Sequence, residues 1–229
     1  MKLAFKLTRA KRIKARSPHR RGRIRLYLFA AAVVWLSAVS AGLWILWGYE
    51  NTPGVSAQAP GSWPADSHIQ RATNQATLVM LAHPHCPCTR ASIGELALLM
   101  AHSQGRVTAY VLFLKPEGFS DEWEKTDLWQ SAASIPGVNV LIDDDGAEAR
   151  RFHAATSGQT MLYDADGRLL FSGGITGSRG HAGDNAGRSA IVSLLNTGAA
   201  ERDKTAVFGC RLFGENSECQ GLGDERNER

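Results

Sequence analysis

Residues 83–88 read His-Pro-His-Cys-Pro-Cys, two imidazoles and two thiols within six positions. Thiols at this spacing can exchange disulfides, hold a soft metal ion or close an inert clip. Pro87 suits the first turn of a helix, where its absent N–H has no partner to lose. A helix opening there puts Cys86 at its N-cap, where backbone N–H groups and the helix dipole stabilise a thiolate. Cys88, one helical step in, is then the natural resolving thiol. A disulfide across one intervening residue closes a small strained ring, and strain makes a disulfide more oxidising. His83 or His85, if protonated, would lower the Cys86 pKa further.

The same four side chains suit copper or zinc, which favour thiolate and imidazole together. Pro84 and Pro87 stiffen the segment, so all four donors can hardly converge on one ion, although two or three could. An inert clip is the remaining reading. A bridge closing so short a loop removes little chain entropy, which makes stability a poor reason for it. Cys210 and Cys219 lie nine apart near the C-terminus and most simply pair with each other. An alternative leaves Cys210 to resolve a mixed disulfide with Cys86 if the tail folds back. None of the four cysteines makes a Cys-x-x-Cys-His haem signal. Asp143, Asp144 and Asp145 fail to continue a calcium-loop pattern and read as a solvated loop.

The compartment is set by the first fifty residues. Residues 1–25 hold eleven Lys or Arg and no acid, and residues 26–49 then run uncharged. That run makes roughly 36 Å of helix, enough to cross a bilayer core with some tilt. Tyr27, Trp44, Trp47 and Tyr49 fall near its ends, where aromatic rings favour the lipid–water boundary. The basic excess keeps the N-terminus cytoplasmic and puts everything after Tyr49 outside. A cleaved signal peptide is the rival, with an apolar core usually shorter than this one. The expected site is therefore a bacterial inner membrane, crossed once, with the domain facing the periplasm or cell exterior. The net charge of +4 is positive because of the tail alone. The chain after residue 49 sets 15 Lys and Arg against 22 acids, near −7, which gives no electrostatic case for nucleic acid.

Composition then divides the chain: a basic tail over 1–25, a transmembrane helix over 26–49, a linker over 50–69, a folded domain over 70–200 and an extension over 201–229. The linker is rich in Pro, Gly, Ser and Ala and reads as a tether. The last thirty residues become polar and are expected to fray. Within the domain, ATLVMLA (76–82) has strand character. Residues 87–105 carry Ile93, Leu96, Leu99 and Met100 at helical spacing. Strands are predicted over 106–114 and 138–142, and helices over 120–134, capped by Ser120, and 144–154. TMLYD and RLLFSG flank Ala165-Asp166-Gly167, a hairpin signal. A helix over 184–198 closes the domain, capped by Asp184 and stopped by Gly198.

This β-α-β-α-β-α-β-β-α order, with a cysteine pair between the first strand and first helix, resembles the thioredoxin fold over about residues 70–198. The other specific resemblance is the hairpin segment QTMLYDADGRLLFSGG. The whole chain is similar to membrane-anchored thioredoxin-like proteins of the RedB group. The resemblance implies an α/β domain with a central mixed sheet flanked by helices, preceded by one transmembrane helix. It implies thiol–disulfide exchange with protein thiols or disulfides, with Cys86 and Cys88 as the redox pair. It also sets Gln159-Thr160 where the family has a cis-proline, and His85 where it has a tryptophan. The family's buried acid on the first strand is missing, so the direction of exchange stays open. Loss of the cis-proline leaves room for a ligand or metal, and a non-catalytic copper-handling protein on the same fold remains the other class. By the family's topology, residues 173–187 lie beside Cys86, offering Thr176, Arg179, His181 and Asp184 to a partner. Residues 156–159 should border the same groove.

Overall fold

The computed structural model describes residues 18–55, 57–103, 105–120 and 122–214. The chain divides after Trp47. The first unit holds most of helix α1 (Pro18–Asn51). Its stretch Gly22–Asn51 is 30 residues long and apolar enough to cross a membrane. Large apolar side chains from Ile24 to Tyr49 are exposed along it. Such a helix lacks the polar face of one packed on a soluble core.

The second unit is an α/β domain. Its elements are β1 (Ala76–Ala82), α2 (Pro87–His102), β2 (Val107–Lys115), α3 (Asp127–Ala133), β3 (Val138–Asp144), α4 (Ala147–Arg151), β4 (Thr160–Tyr163), β5 (Leu169–Gly173) and α5 (Ala186–Thr197). The sheet runs β3-β2-β1-β4-β5. β1, β2 and β3 are parallel, while β4 is antiparallel to both β1 and β5. This is the expected thioredoxin-like arrangement, with β1 at the centre and α2 springing from its end.

Strand alternation builds two cores from one central strand. Leu78 and Met80 of β1 face Ile93, Leu96 and Leu99 of α2, Leu128 of α3 and Ile191 of α5. Val79 and Leu81 face the other way, onto Ala149, Phe152 and Tyr163. Buried on both sides, β1 is fixed in register. A one-residue slip would exchange its two faces.

The expected tether is instead packed. Trp63 sets its ring edge-on to Phe152 and Tyr163, with centroids 5.1 and 5.3 Å away, and Ala59 and Ile69 are buried. Ser62 bridges Arg168, adding a short pairing beside the hairpin turn. Pro and Gly in this segment mark irregular backbone, and its few apolar side chains hold it down. The expected fraying of the C-terminal segment also fails over residues 203–213. Val207, Cys210 and Leu212 are buried there, and Ser172 N–H donates to the Asp203 carbonyl at 2.9 Å. Cys219, and with it the expected Cys210–Cys219 pair, lies outside the described residues.

Three helix ends also differ. α3 opens at Asp127 with Thr126 as its N-cap, because residues 122–126 turn to carry Trp123 toward the histidines. α5 is capped by Asn185, whose Oδ1 accepts the Arg188 N–H at 2.8 Å, while Asp184 pairs with the Arg188 side chain. Asp143 is buried rather than solvated, and its carboxylate accepts the Glu148 and Ala149 N–H groups that open α4. The hairpin turns at Gly167, with φ +84°, as its Asp-Gly signal requires.

Candidate active site

Cys86 caps α2 from an extended backbone, with Pro87 in the first turn. The Thr89 N–H donates to the Cys86 carbonyl at 3.0 Å, which begins the helix. The Cys86 side chain is fully buried, Cys88 nearly so, and Cys210 packs with them in a cluster of three thiols. Cys86 Sγ and Cys210 Sγ are 2.8 Å apart, beyond the roughly 2.05 Å of a disulfide and inside ordinary contact. Cys88 forms a hydrogen bond to Cys86. That bond, burial and the charge of Cys86 push the Cys88 thiol well above its ordinary range. The Arg179 guanidinium and the Gly180 N–H pull the other way. Cys88 therefore holds its proton at neutral pH and presents it to the Cys86 sulfur.

The two histidines are placed differently. His83 is buried, and burial pushes its imidazole down to about 4; the Cys86 charge opposes this and His85 adds to it. Its Nδ1 accepts the His85 N–H at 3.2 Å, which fits a neutral ring protonated at Nε2. The expectation that a cationic His83 tunes Cys86 near neutral pH is thereby corrected: desolvation holds the ring uncharged. His85 is exposed and packs against Trp123 with the rings tilted by 56° and centroids 4.7 Å apart, while its Nε2 lies 3.0 Å from the Trp123 carbonyl. Among the described residues no three His, Cys, Asp or Glu side chains converge on a point where a metal ion could sit.

Ser157 ties the site together. Its Oγ accepts the His83 N–H at 2.9 Å and meets Thr89 Oγ1 at 2.7 Å, while Thr89 Oγ1 donates to the His83 carbonyl. Its own N–H donates to the Cys210 carbonyl at 2.8 Å. One residue thus joins the approach to Cys86 and helix α2 through its hydroxyl, and the C-terminal segment through its backbone N–H. Of residues 156–159, Ser157 is the one bonded to the thiol-bearing segment, through the Cys210 carbonyl. Gln159 and Thr160 lie just beyond, both buried; the Gln159 carbonyl accepts the Leu81 N–H and Thr160 opens β4. Among the described residues no peptide bond is cis.

The 173–187 loop comes to the site through Arg179, whose Nη1 donates to the Gly209 carbonyl at 2.9 Å. Thr176 is buried, whereas His181 and Asp184 are exposed. Glu95, from α2, anchors the loop: it accepts the Gly183 N–H at 2.6 Å, Asn185 Nδ2 at 3.0 Å and Arg188 Nη1 at 2.7 Å. Sequence reasoning missed Trp123, Thr89 and Glu95. Glu95 left one trace, a lone acid inside the apolar stripe of α2.

No protein-family model matches the chain, and no curated protein matches it. Solved structures do, and two of them align over most of this chain. An uncharacterized conserved protein of Geobacillus kaustophilus aligns at 19% identity over 73% of this chain and 93% of its own, with a TM-score of 0.52. A hypothetical protein of Sinorhizobium meliloti aligns at 19% identity over 71% of this chain and 97% of its own, with a TM-score of 0.54. Likeness at this identity extends to the fold alone; the thioredoxin-like character of that fold is given by this chain's own strand order, with α2 following the central β1.

Proposed function

We propose that the chain is a membrane-tethered thiol–disulfide oxidoreductase acting outside the cytoplasm on protein thiols or disulfides. On this reading it falls with the membrane-anchored RedB-like group. The observation that carries the proposal is Cys86 at the opening of α2, with two further sulfurs packed beside it. A helix N-terminus lowers a thiol's pKa, and the S–H of Cys88 adds a hydrogen bond that a thiolate accepts. Cys86 is the nucleophile.

In the reducing direction the Cys86 thiolate attacks one sulfur of a partner disulfide. The partner's S–S bond breaks, its other sulfur leaves as a thiolate and takes a proton, and a mixed disulfide remains. A second thiol of the chain gives up its proton and attacks Cys86 Sγ. The partner's remaining thiol departs, two electrons have moved to the partner, and the chain holds an internal disulfide. Run backward, the same steps oxidise a partner dithiol. A cysteine pair such as Cys86 and Cys88 meets this need in outline.

The test is a disulfide-exchange assay on the detergent-solubilised full chain. Cys86→Ser should lower the rate at least about 100-fold, since no other group replaces the attacking sulfur. A variant that keeps the original rate would rule out Cys86 as the nucleophile.

A further inference from the structure

Cys210 carries no role in the exchange as described, yet its position is built in detail. It stands on the strap formed by residues 203–213. The strap pairs with residues 155–157 through an antiparallel bridge between Thr156 and Arg211. Ser157 N–H donates to the Cys210 carbonyl at 2.8 Å, and Leu212 N–H donates to the Ala155 carbonyl at 3.0 Å. Arg179 holds the Gly209 carbonyl. Gly209 lies so close to the Ser157 carbonyl that a Cβ there would run into it. The residue before Cys210 is thus held to glycine by the approach that sets the thiol against Cys86.

Resting on the oxidoreductase reading above, we propose that Cys210, rather than Cys88, is the thiol that resolves Cys86. The oxidised protein then carries a Cys86–Cys210 disulfide that staples the strap over the site. Two observations point the same way. The two sulfurs stand 2.8 Å apart, already within attacking distance. The bond would join residues 124 positions apart, free of the ring strain that a Cys86–Cys88 bond must carry.

The step balances. Cys210 loses its proton to solvent and its thiolate attacks Cys86 Sγ in the mixed disulfide. The Cys86–partner bond breaks, the partner sulfur leaves as a thiolate, and the Cys86–Cys210 bond forms. A partner dithiol reverses it, which frees the strap. Cys86 is buried with the strap down even before any disulfide to Cys210 forms, so a partner must lift the strap to reach it.

Oxidised glutathione is the probe, added to the reduced full chain in detergent. Nonreducing tryptic digestion and mass spectrometry then read the crosslink. Cys86 and Cys88 share the peptide 72–90 and Cys210 lies in 205–211, so Cys88→Ser identifies the sulfur involved. The expected product joins 72–90 to 205–211 in the original chain and in Cys88→Ser. Cys210→Ser should accumulate the Cys86–glutathione adduct and clear it at least tenfold more slowly. Gly209→Val keeps the thiol but lifts the strap, and should cut the crosslink yield about tenfold. A Cys86–Cys88 disulfide formed without any Cys86–Cys210 product would overturn this inference and leave the exchange reading standing. A Cys86 that takes up neither glutathione nor any internal bond would overturn both.

Discussion

His83 shows how burial changes the meaning of a residue. In the sequence it is a candidate cation beside a thiol; in the fold it is a neutral ring whose Nδ1 accepts a backbone N–H. Its imidazole titrates near 4, against about 6.5 for an ordinary histidine. Above 6.5 the ring is neutral in both folded and unfolded chains and adds no pH dependence. As pH falls from 6.5 toward 4, the unfolded chain binds a proton that the folded one refuses, so stability is lost across that window. The loss reaches about 3 kcal/mol. Thermal unfolding of the full chain in detergent, at pH 7.5 and 4.5, should show a steeper drop for the original than for His83→Gln. Parallel drops would mean that His83 is not the buried neutral base described here. The place of Cys86 at a helix N-cap was legible because Pro87 marks a helix start. The partners His83 finds, Trp123 and Ser157, come from 40 and 74 positions away, and no local pattern announces such contacts.

Among the elements, those with strong periodicity were legible and those held by few contacts were not. β1 matches the apolar run 76–82 residue for residue, because a strand buried on both faces needs an unbroken apolar sequence. α3 is seven residues long where fifteen were expected, since the turns over 122–126 place Trp123 on the histidine rings. The 50–69 and 203–213 segments read as loose because composition reports backbone regularity, whereas their anchoring depends on single side chains such as Trp63 and Leu212. The 173–187 loop hangs on another such residue. Glu95 is 1% exposed and Arg188 is 16% exposed in their side chains, and they pair at 2.7 Å. Removing one partner of a buried pair leaves the other charge and its hydrogen bonds unsatisfied. Glu95→Ala should cost about 3 kcal/mol, seen as a lowered denaturant midpoint. It should also speed amide exchange at Gly183, whose N–H loses its acceptor. An unchanged midpoint would mean that the loop is held by its remaining contacts.

At the scale of the whole molecule, one apolar helix and one thioredoxin-like domain share a chain whose charge is divided between its ends. The basic tail and the acidic remainder predict a cytoplasmic N-terminus and a domain on the far side of the membrane. A topology reporter fused after Arg229 should behave as extracytoplasmic, and extraction should require detergent. A soluble, cytosolic full-length product would overturn this placement. The central claim is chemical, and a redox titration of the full chain in glutathione buffers reaches it most directly. Thiols remaining at each potential are counted by alkylation and mass. The account predicts that two thiols, one of them Cys86, disappear together along a single two-electron curve. Cys86 staying alkylatable across the whole range would contradict it.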